Sequence, residues 1–342
     1  MQLDHKKADL DWQHLDFAFR PTAGSIRMDY DGGQWSEPAV MRECTIPLHI
    51  GAQVLHYGQA CFEGLKAFSL REGGVGLFRP EMNARRMQQS AARICMTAPP
   101  EALFVEACQR AVELNLAYLP PYGTGASLFL RPLLIGTEPM LPVMPASTFT
   151  FIVMVSPVGP YYKNGFSPVD ALILEGYDRA APQGTGQSKV AGNYAASLQS
   201  TLESKARGFP INLYLDAREG KYIDEFGTSN FIGITADQRY LTPDSPSILP
   251  SITNDSLRQL AADMGLRVFQ QPISVSELAQ FVEVGACGTA AVITPIASIT
   301  YGDRKFSFGD GQAGPVLSRL YRDLQAIQFG EVADRHGWLT RM

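Results

Sequence analysis

The chain has 342 residues, 45% of them hydrophobic and 18% charged, which is enough apolar material for a sizeable core and too much for a disordered chain. At roughly 100 to 200 residues per domain, that length points to two domains. A formal net charge of −5 with no basic block argues against a general attraction to nucleic-acid backbones or acidic membrane surfaces.

The opening stretch MQLDHKKADLDWQH has no apolar h-region, so no secretory signal is expected and the cytoplasm is the expected compartment. Strands are predicted at VGLFRP and ASLFLRPLLIG. Residues 80–96 and 100–119 carry apolar residues at helical spacing, with Pro80 suited to a first helical position. The most apolar run, FTFIVMV from Phe149 to Val155, is far shorter than the roughly 20 residues of a membrane-spanning helix and predicts a buried strand. SPVGPYYKNGFSP follows, with three prolines and two glycines in thirteen residues, and predicts an interdomain linker. Beyond it come a strand at VDALILEG, a helix over 194–207 stopped by Gly208, and strands INLYLDA and SNFIGIT joined by REGKYIDEFGT. A helix over 253–264, closed by Gly265, completes the series. The alternation predicts an α/β or α+β enzyme and leaves strand pairing open.

Cys44, Cys61, Cys95, Cys108 and Cys287 form no close pair, as expected of reduced thiols, and none is an obvious nucleophile. The five histidines show no HxxxH spacing and no partnering cysteines, so no metal is expected.

Chemistry concentrates in GTGQSKVAGNYAAS, Gly184 to Ser197. Most lysines are solvated surface residues, but Lys189 sits among small residues that permit a backbone to approach a ligand closely. A nucleotide P-loop is excluded, because Ser188 precedes the lysine and Val190 follows it. A lysine amine is a nucleophile mainly towards carbonyls, and pyridoxal phosphate presents an aldehyde for a Schiff base. Such a cofactor needs an acid for its ring nitrogen, a hydrogen bond to its phenolic oxygen, and cationic or backbone donors for its phosphate. Glu225 in YIDEFGTSNF, Tyr194, Arg86 in NARRMQQSA and the amides of Ile252 and Thr253 after LPS supply candidates. The ordinary alternatives are a turn acid at Glu225 and a solvated helix face at Arg86.

In order, FEGLKAF, LRPLLIGTEP, SPVGPYY, GTGQSKVAGNYAAS, EFGTSNF, ILPSIT and CGTAAVITP resemble the branched-chain amino-acid aminotransferases, fold-type IV pyridoxal phosphate enzymes. The resemblance implies two α/β domains with the cofactor between them: a small N-terminal domain over 1–156, a linker over 157–168 and a larger C-terminal domain over 169–342. It implies Lys189 as the Schiff-base and catalytic lysine, Tyr194 on the phenolic oxygen and Glu225 on the pyridine nitrogen. Arg86, Ile252, Thr253 and Thr289 would hold the phosphate. For substrate, Tyr57 and Phe62 would line an apolar pocket, Arg131 would receive the side-chain carboxylate of glutamate, Thr228 would lie close by, and the amides at Thr289 and Ala290 would bind the α-carboxylate. Phe129 stands where many members carry tyrosine, which removes a hydroxyl from the substrate site. Ala191, Ser251 and Asn254 also depart from the common pattern, and Ala291 and Ile293 occupy the region where some animal members carry a Cys-x-x-Cys. The implied reaction is a ping-pong exchange of the amino group between L-leucine, L-isoleucine or L-valine and 2-oxoglutarate, by a homodimer or higher homo-oligomer. The alternatives on the same scaffold are a D-amino-acid aminotransferase, which would normally show a histidine two residues after the carboxylate-binding arginine where this chain has Leu133, and an aminodeoxychorismate lyase.

Overall fold

The computed structural model describes residues 6–161 and 165–342, so residues 1–5 and residues 162–164 of the expected linker lie outside it. The chain divides into two compact units: Met1–Lys163 with Ser188–Ala191 and Ala326–Met342, and Asn164–Gln187 with Gly192–Gln325. A single break over 157–168 does not describe this division, because two later segments return to the first unit.

In the first unit a nine-stranded antiparallel sheet runs in the order Leu339–Arg341, Val75–Phe78, Leu65–Ser69, Ser127–Gly136, Phe149–Val158, Ser25–Asp31 and Gln34–Trp35, with Ala39–Met41 and Ala60–Phe62 paired off that path. The apolar run at Phe149 becomes a central strand, paired with Ser127–Gly136 on one side and Ser25–Asp31 on the other. It is buried at nine of ten positions, which is why it reads as a continuous apolar run rather than an alternating one. The C-terminal strand pairs antiparallel with Val75–Phe78, and this is what carries the end of the chain into the first unit.

Pro80 opens the Pro80–Arg93 helix as expected. Its buried residues, Pro80, Asn83, Ala84, Arg86, Met87, Ser90 and Ala91, recur at helical spacing, so Arg86 lies on the inward face and Arg85 on the outward one. With the Glu101–Leu114 helix it covers a core that includes Met28, Leu77, Met87, Phe104, Leu128 and Phe151. Burying each of these larger side chains contributes about 1.5–3 kcal/mol.

The second unit holds another nine-stranded sheet, mixed in direction, in the order Ile223–Phe226, Ile211–Leu215, Val169–Ile173, Val292–Tyr301, Phe281–Gly288, Ser229–Thr235, Arg239–Thr242 and Arg267–Gln270, with Arg304–Ser307 beside Val292–Tyr301. Ile223–Phe226 also pairs with Ser229–Thr235, so the first six strands in that order form a closed ring. The segment expected to be a connection thus contains a strand, and that strand carries Glu225. The helix expected over 194–207 is two helices, Ala191–Ala196 and Leu198–Ala206, divided at Ser197. Ser197 Oγ donates to the Tyr194 carbonyl at 2.9 Å, the local competition for backbone groups that makes serine a poor mid-helix residue. Gly208 and Gly265, both at φ +86°, follow the ends of the Leu198–Ala206 and Ile252–Asp263 helices in the left-handed conformation expected of them.

Among the described residues no helix is long and apolar enough to cross a membrane, and no group of three or more His, Cys, Asp or Glu could hold a metal ion. The five cysteines are unbridged; Cys61, Cys108 and Cys287 are buried.

Lys66, on the Leu65–Ser69 strand opposite Phe129, is buried, and desolvation lowers it to about 8 from an ordinary 10.5. Between those values the unfolded chain binds the proton that the folded chain has given up, so this group makes stability rise with pH. Burial pushes the Cys61 thiol up to about 12 from 9.0, and a raised thiol makes stability fall with pH above its unfolded value. Urea unfolding of wild type and Lys66→Met from pH 8 to 9 checks the lysine alone: the wild type should gain stability relative to the variant as pH rises, and a constant difference would show that Lys66 does not titrate there.

Candidate active site

Lys189 follows the turns of residues 182–187 and belongs to the short Ser188–Ala191 segment of the first unit. Both of its peptide groups are taken. Its N–H donates to Ser90 Oγ at 2.8 Å, and its carbonyl accepts from the Phe62 N–H at 3.1 Å. The next residue, Val190, forms an antiparallel bridge with Cys61. The lysine backbone is therefore held between a helix and a strand, and its Nζ lies 5.0 Å from the centroid of the Phe62 ring.

The same ring has a second cation beside it. Arg131 Cζ lies 4.8 Å from the Phe62 centroid and 5.2 Å from that of Phe129. Phe129 and Arg131 are two residues apart on one strand and so share a face. A Cβ on Gly64 would come within 2.9 Å of Phe129 Cζ, so the glycine leaves room for that ring. Phe17 meets Phe129 edge-on at 5.1 Å and Tyr161 at 5.1 Å. The N-terminal segment that brings Phe17 there is held by the Gly159 N–H on the Asp16 carbonyl and the Arg20 N–H on Ser156 Oγ. Phe62, Phe129, Arg131, Lys189 and Phe17 thus form one aromatic and cationic cluster in the first unit.

Arg86 does not lie on a solvated face. Its Nε and Nη2 donate to the two oxygens of Glu63, each at 2.7 Å, and the Glu63 carboxylate is fully buried. The Gly64 N–H also reaches Glu63 Oε2, at 3.3 Å. A guanidinium has five N–H donors, so this fork orients its remaining edge. Tyr57 is nearly half exposed, and its hydroxyl donates to the Leu141 carbonyl at 2.5 Å.

In the second unit the buried Glu225 carboxylate is closely held. Oε1 accepts from the Leu249 N–H at 2.9 Å and lies 2.5 Å from Arg179 Nη2; Oε2 accepts from Asn230 Nδ2 at 3.2 Å. Arg179 Nη2 also donates to the carbonyls of Gly186 and Ser247, both at 2.6 Å. These contacts favour the charged carboxylate in the interior, which suits it to face a protonated ring nitrogen. Gly186 is small for a local reason: a Cβ there would stand 2.3 Å from the Ser247 carbonyl oxygen.

Ile252 and Thr253 are the first two residues of the Ile252–Asp263 helix. Ser251 caps it by accepting the Asn254 N–H at 3.0 Å, which leaves the helix N-terminus directed by the amides before that position. Asn254 itself faces inward, with Oδ1 accepting from Tyr240 at 2.6 Å and Nδ2 donating to Thr242 at 2.8 Å. Thr289 and Ala290 lie in the turn between two paired strands, half-buried, followed by Val292 at φ +65°. A β-branched residue in the left-handed region is strained, and such strain concentrates at functional turns. Thr228 is exposed, and a Cβ on Gly288 would lie 3.7 Å from its carbonyl oxygen. Tyr194 is half-buried on the Ala191–Ala196 helix.

Four residues with direct contacts to these groups have no role assigned by local sequence, although Glu63 lies in FEGLKAF and Ser90 in NARRMQQSA. Ser90, Glu63, Phe17 and Arg179 acquire meaning only through the partners they meet. For Glu63 and Arg179 the available hint is the cost of burying a charge, which requires a countercharge.

A family model described as amino-transferase class IV matches residues 60–299. The branched-chain-amino-acid aminotransferase of Haemophilus influenzae is 44% identical over 98% of this chain and 99% of its own. That of Helicobacter pylori is 44% identical over 97% of each chain. The Escherichia coli branched-chain amino acid aminotransferase structure gives a TM-score of 0.77 at 27% identity, covering 93% of this chain and 98% of that one. The T.th. branched-chain amino acid aminotransferase with pyridoxamine 5'-phosphate gives 0.79 at 26% identity, covering 94% and 99%. The chain therefore belongs to the class IV aminotransferase family, among its branched-chain members, and is an aminotransferase of the type IV fold.

Proposed function

We propose that the protein moves the amino group reversibly between L-leucine, L-isoleucine or L-valine and 2-oxoglutarate, in a ping-pong cycle on pyridoxal 5'-phosphate bound at Lys189. The observation that carries this reading is the Phe62 ring, which has the Lys189 amine at 5.0 Å and the Arg131 guanidinium at 4.8 Å. An apolar wall with one fixed cation suits a pocket that takes an aliphatic side chain in one half-reaction and a carboxylate in the other.

The residues fit the cofactor. Glu225, kept charged by Arg179, would hold the ring nitrogen protonated, and Tyr194 would donate to the phenolic oxygen. Arg86, oriented by Glu63, would share the phosphate with Thr289 and the amides of Ile252 and Thr253. When bound, the cofactor supplies an aldehyde for the lysine and an electron-accepting ring for the substrate α-carbon. Lys189 Nζ would take the α-proton and return it on the other side of the exchange as general base and acid. The amides at Thr289 and Ala290 would orient the α-carboxylate. Thr228 would border substrate, and Phe62 and Phe129 would exclude water from the aliphatic side chain. Contacts of this kind separate substrates differing by one methylene by only about 1–3 kcal/mol, so leucine, isoleucine and valine should all react.

A homodimer is part of the same reading. Leu141 and Val143 are 83% and 80% exposed, Ile50, Leu55, Tyr57 and Met144 are exposed as well, and the Tyr57 hydroxyl on the Leu141 carbonyl joins the two segments that carry this apolar patch. The patch is prebuilt: Met140 N–H donates to the Gly51 carbonyl at 3.0 Å, and Gln53 Nε2 to that of Met144 at 2.6 Å. A surface that is both ordered and apolar fits a protein partner, and a second copy docking there would cover Tyr57.

Assay of 2-oxo acid formation from leucine and 2-oxoglutarate tests the central role. Lys189→Ala should lower turnover by at least about 10²–10⁴-fold, and retained turnover would remove the lysine from the mechanism. Arg131→Met should reduce kcat/KM for glutamate by about tenfold to a hundredfold while sparing leucine; equal losses for both would place Arg131 outside the side-chain site. In sedimentation velocity, Leu141→Asp combined with Val143→Asp should shift a dimer to monomer, whereas an unchanged boundary would move the interface off this patch.

A further inference from the structure

Ser90 is a buried serine inside a helix, a setting that alanine fills at lower cost. It lies within the Pro80–Arg93 helix, followed by Ala91 and Ala92, and is fully buried. Serine is a weaker helix former than alanine, and a hydroxyl buried without a partner is costly. The partner here is the main chain of Lys189, 99 residues away, whose N–H donates to Ser90 Oγ at 2.8 Å. One helical turn before Ser90 is Arg86, fixed by its fork to Glu63, so both residues share a face.

We infer that Ser90 is a positioning residue for the Schiff-base lysine, setting the place of the Lys189 Cα from which its amine reaches the cofactor aldehyde. The inference rests on the proposed role of Lys189. A lysine side chain has several rotatable bonds, and a fixed Cα confines the region that Nζ can sample to the neighbourhood of the Phe62 ring. In the bond-forming step Nζ, as the neutral amine, attacks the aldehyde carbon; a carbon–nitrogen double bond forms, and the aldehyde oxygen leaves as water with the two amine protons. No oxidant or reductant is required. Removing the hydroxyl leaves the Lys189 N–H without its acceptor and loosens the main chain at that point.

The test compares two ligands in titrations of the apoprotein. Pyridoxal 5'-phosphate bonds to the lysine, whereas pyridoxamine 5'-phosphate offers the same ring and phosphate but carries an amine in place of the aldehyde. Ser90→Ala should weaken pyridoxal 5'-phosphate by about tenfold and leave pyridoxamine 5'-phosphate within about twofold of wild type. Ser90→Thr, which keeps the hydroxyl, should restore the wild-type ratio of the two affinities. If Ser90→Ala fails to fold, Ser90→Cys, with a weaker acceptor of similar size, should show the same selective loss. Equal weakening of both ligands, or no weakening of either, would overturn the role of Ser90. Borohydride reduction of wild-type holoprotein followed by peptide mass mapping separates the two levels: a pyridoxyl group absent from Lys189 would sink the underlying reading, while one on Lys189 with an unchanged affinity ratio in Ser90→Ala would sink only the inference about Ser90.

Discussion

The peptide of Lys189 is gripped on both sides, by Ser90 Oγ on its N–H and by the Phe62 N–H on its carbonyl. Four residues, Ser188–Ala191, thereby belong to the first unit while the chain on either side belongs to the second. A long flexible side chain becomes useful for chemistry when its origin is fixed, and two hydrogen bonds plus the Cys61–Val190 bridge do this without constraining the amine itself. The Phe62 ring, held by the same strand contact, then places an apolar surface beside both Nζ and the Arg131 guanidinium.

Each unit also contains a buried arginine–glutamate pair, Arg86 with Glu63 in the first and Arg179 with Glu225 in the second. Buried pairs seldom add net stability over a well-packed apolar alternative, because two charges must lose their water. Their value here lies in orientation. Glu63 uses both oxygens to fix one edge of the Arg86 fork, and Arg179 ties Glu225 to the Gly186 and Ser247 carbonyls. In the proposed function one pair aims a cation at the phosphate and the other keeps a carboxylate charged for the ring nitrogen.

Much of this was legible from the chain alone where the signal is local. The apolar run at Phe149, the proline opening the Pro80–Arg93 helix and the left-handed glycines Gly208 and Gly265 depend on neighbouring residues and on elementary backbone preferences. The lysine segment and the acid at Glu225 are marked by unusual composition and by family resemblance. What escaped depends on contacts distant in sequence. Ser90 has an ordinary helical neighbourhood until Lys189 arrives, Phe17 is an aromatic in a polar N-terminal stretch until it meets Phe129, and the Leu339–Arg341 strand joins the first unit only by finding the edge at Val75–Phe78. At Arg86 the solvated face is the ordinary alternative to a binding role, and helical periodicity decides against it by turning Arg85 outward and Arg86 onto a buried carboxylate.

The most direct measurement is the visible spectrum of the purified protein, taken before and after excess L-leucine and again after 2-oxoglutarate. A lysine-bound cofactor that exchanges amino groups predicts a yellow absorption band that bleaches with leucine and returns with 2-oxoglutarate. A yellow protein that ignores leucine and responds to D-alanine would contradict the substrate assignment, and a colourless protein that takes up no added pyridoxal 5'-phosphate would contradict the account at its centre.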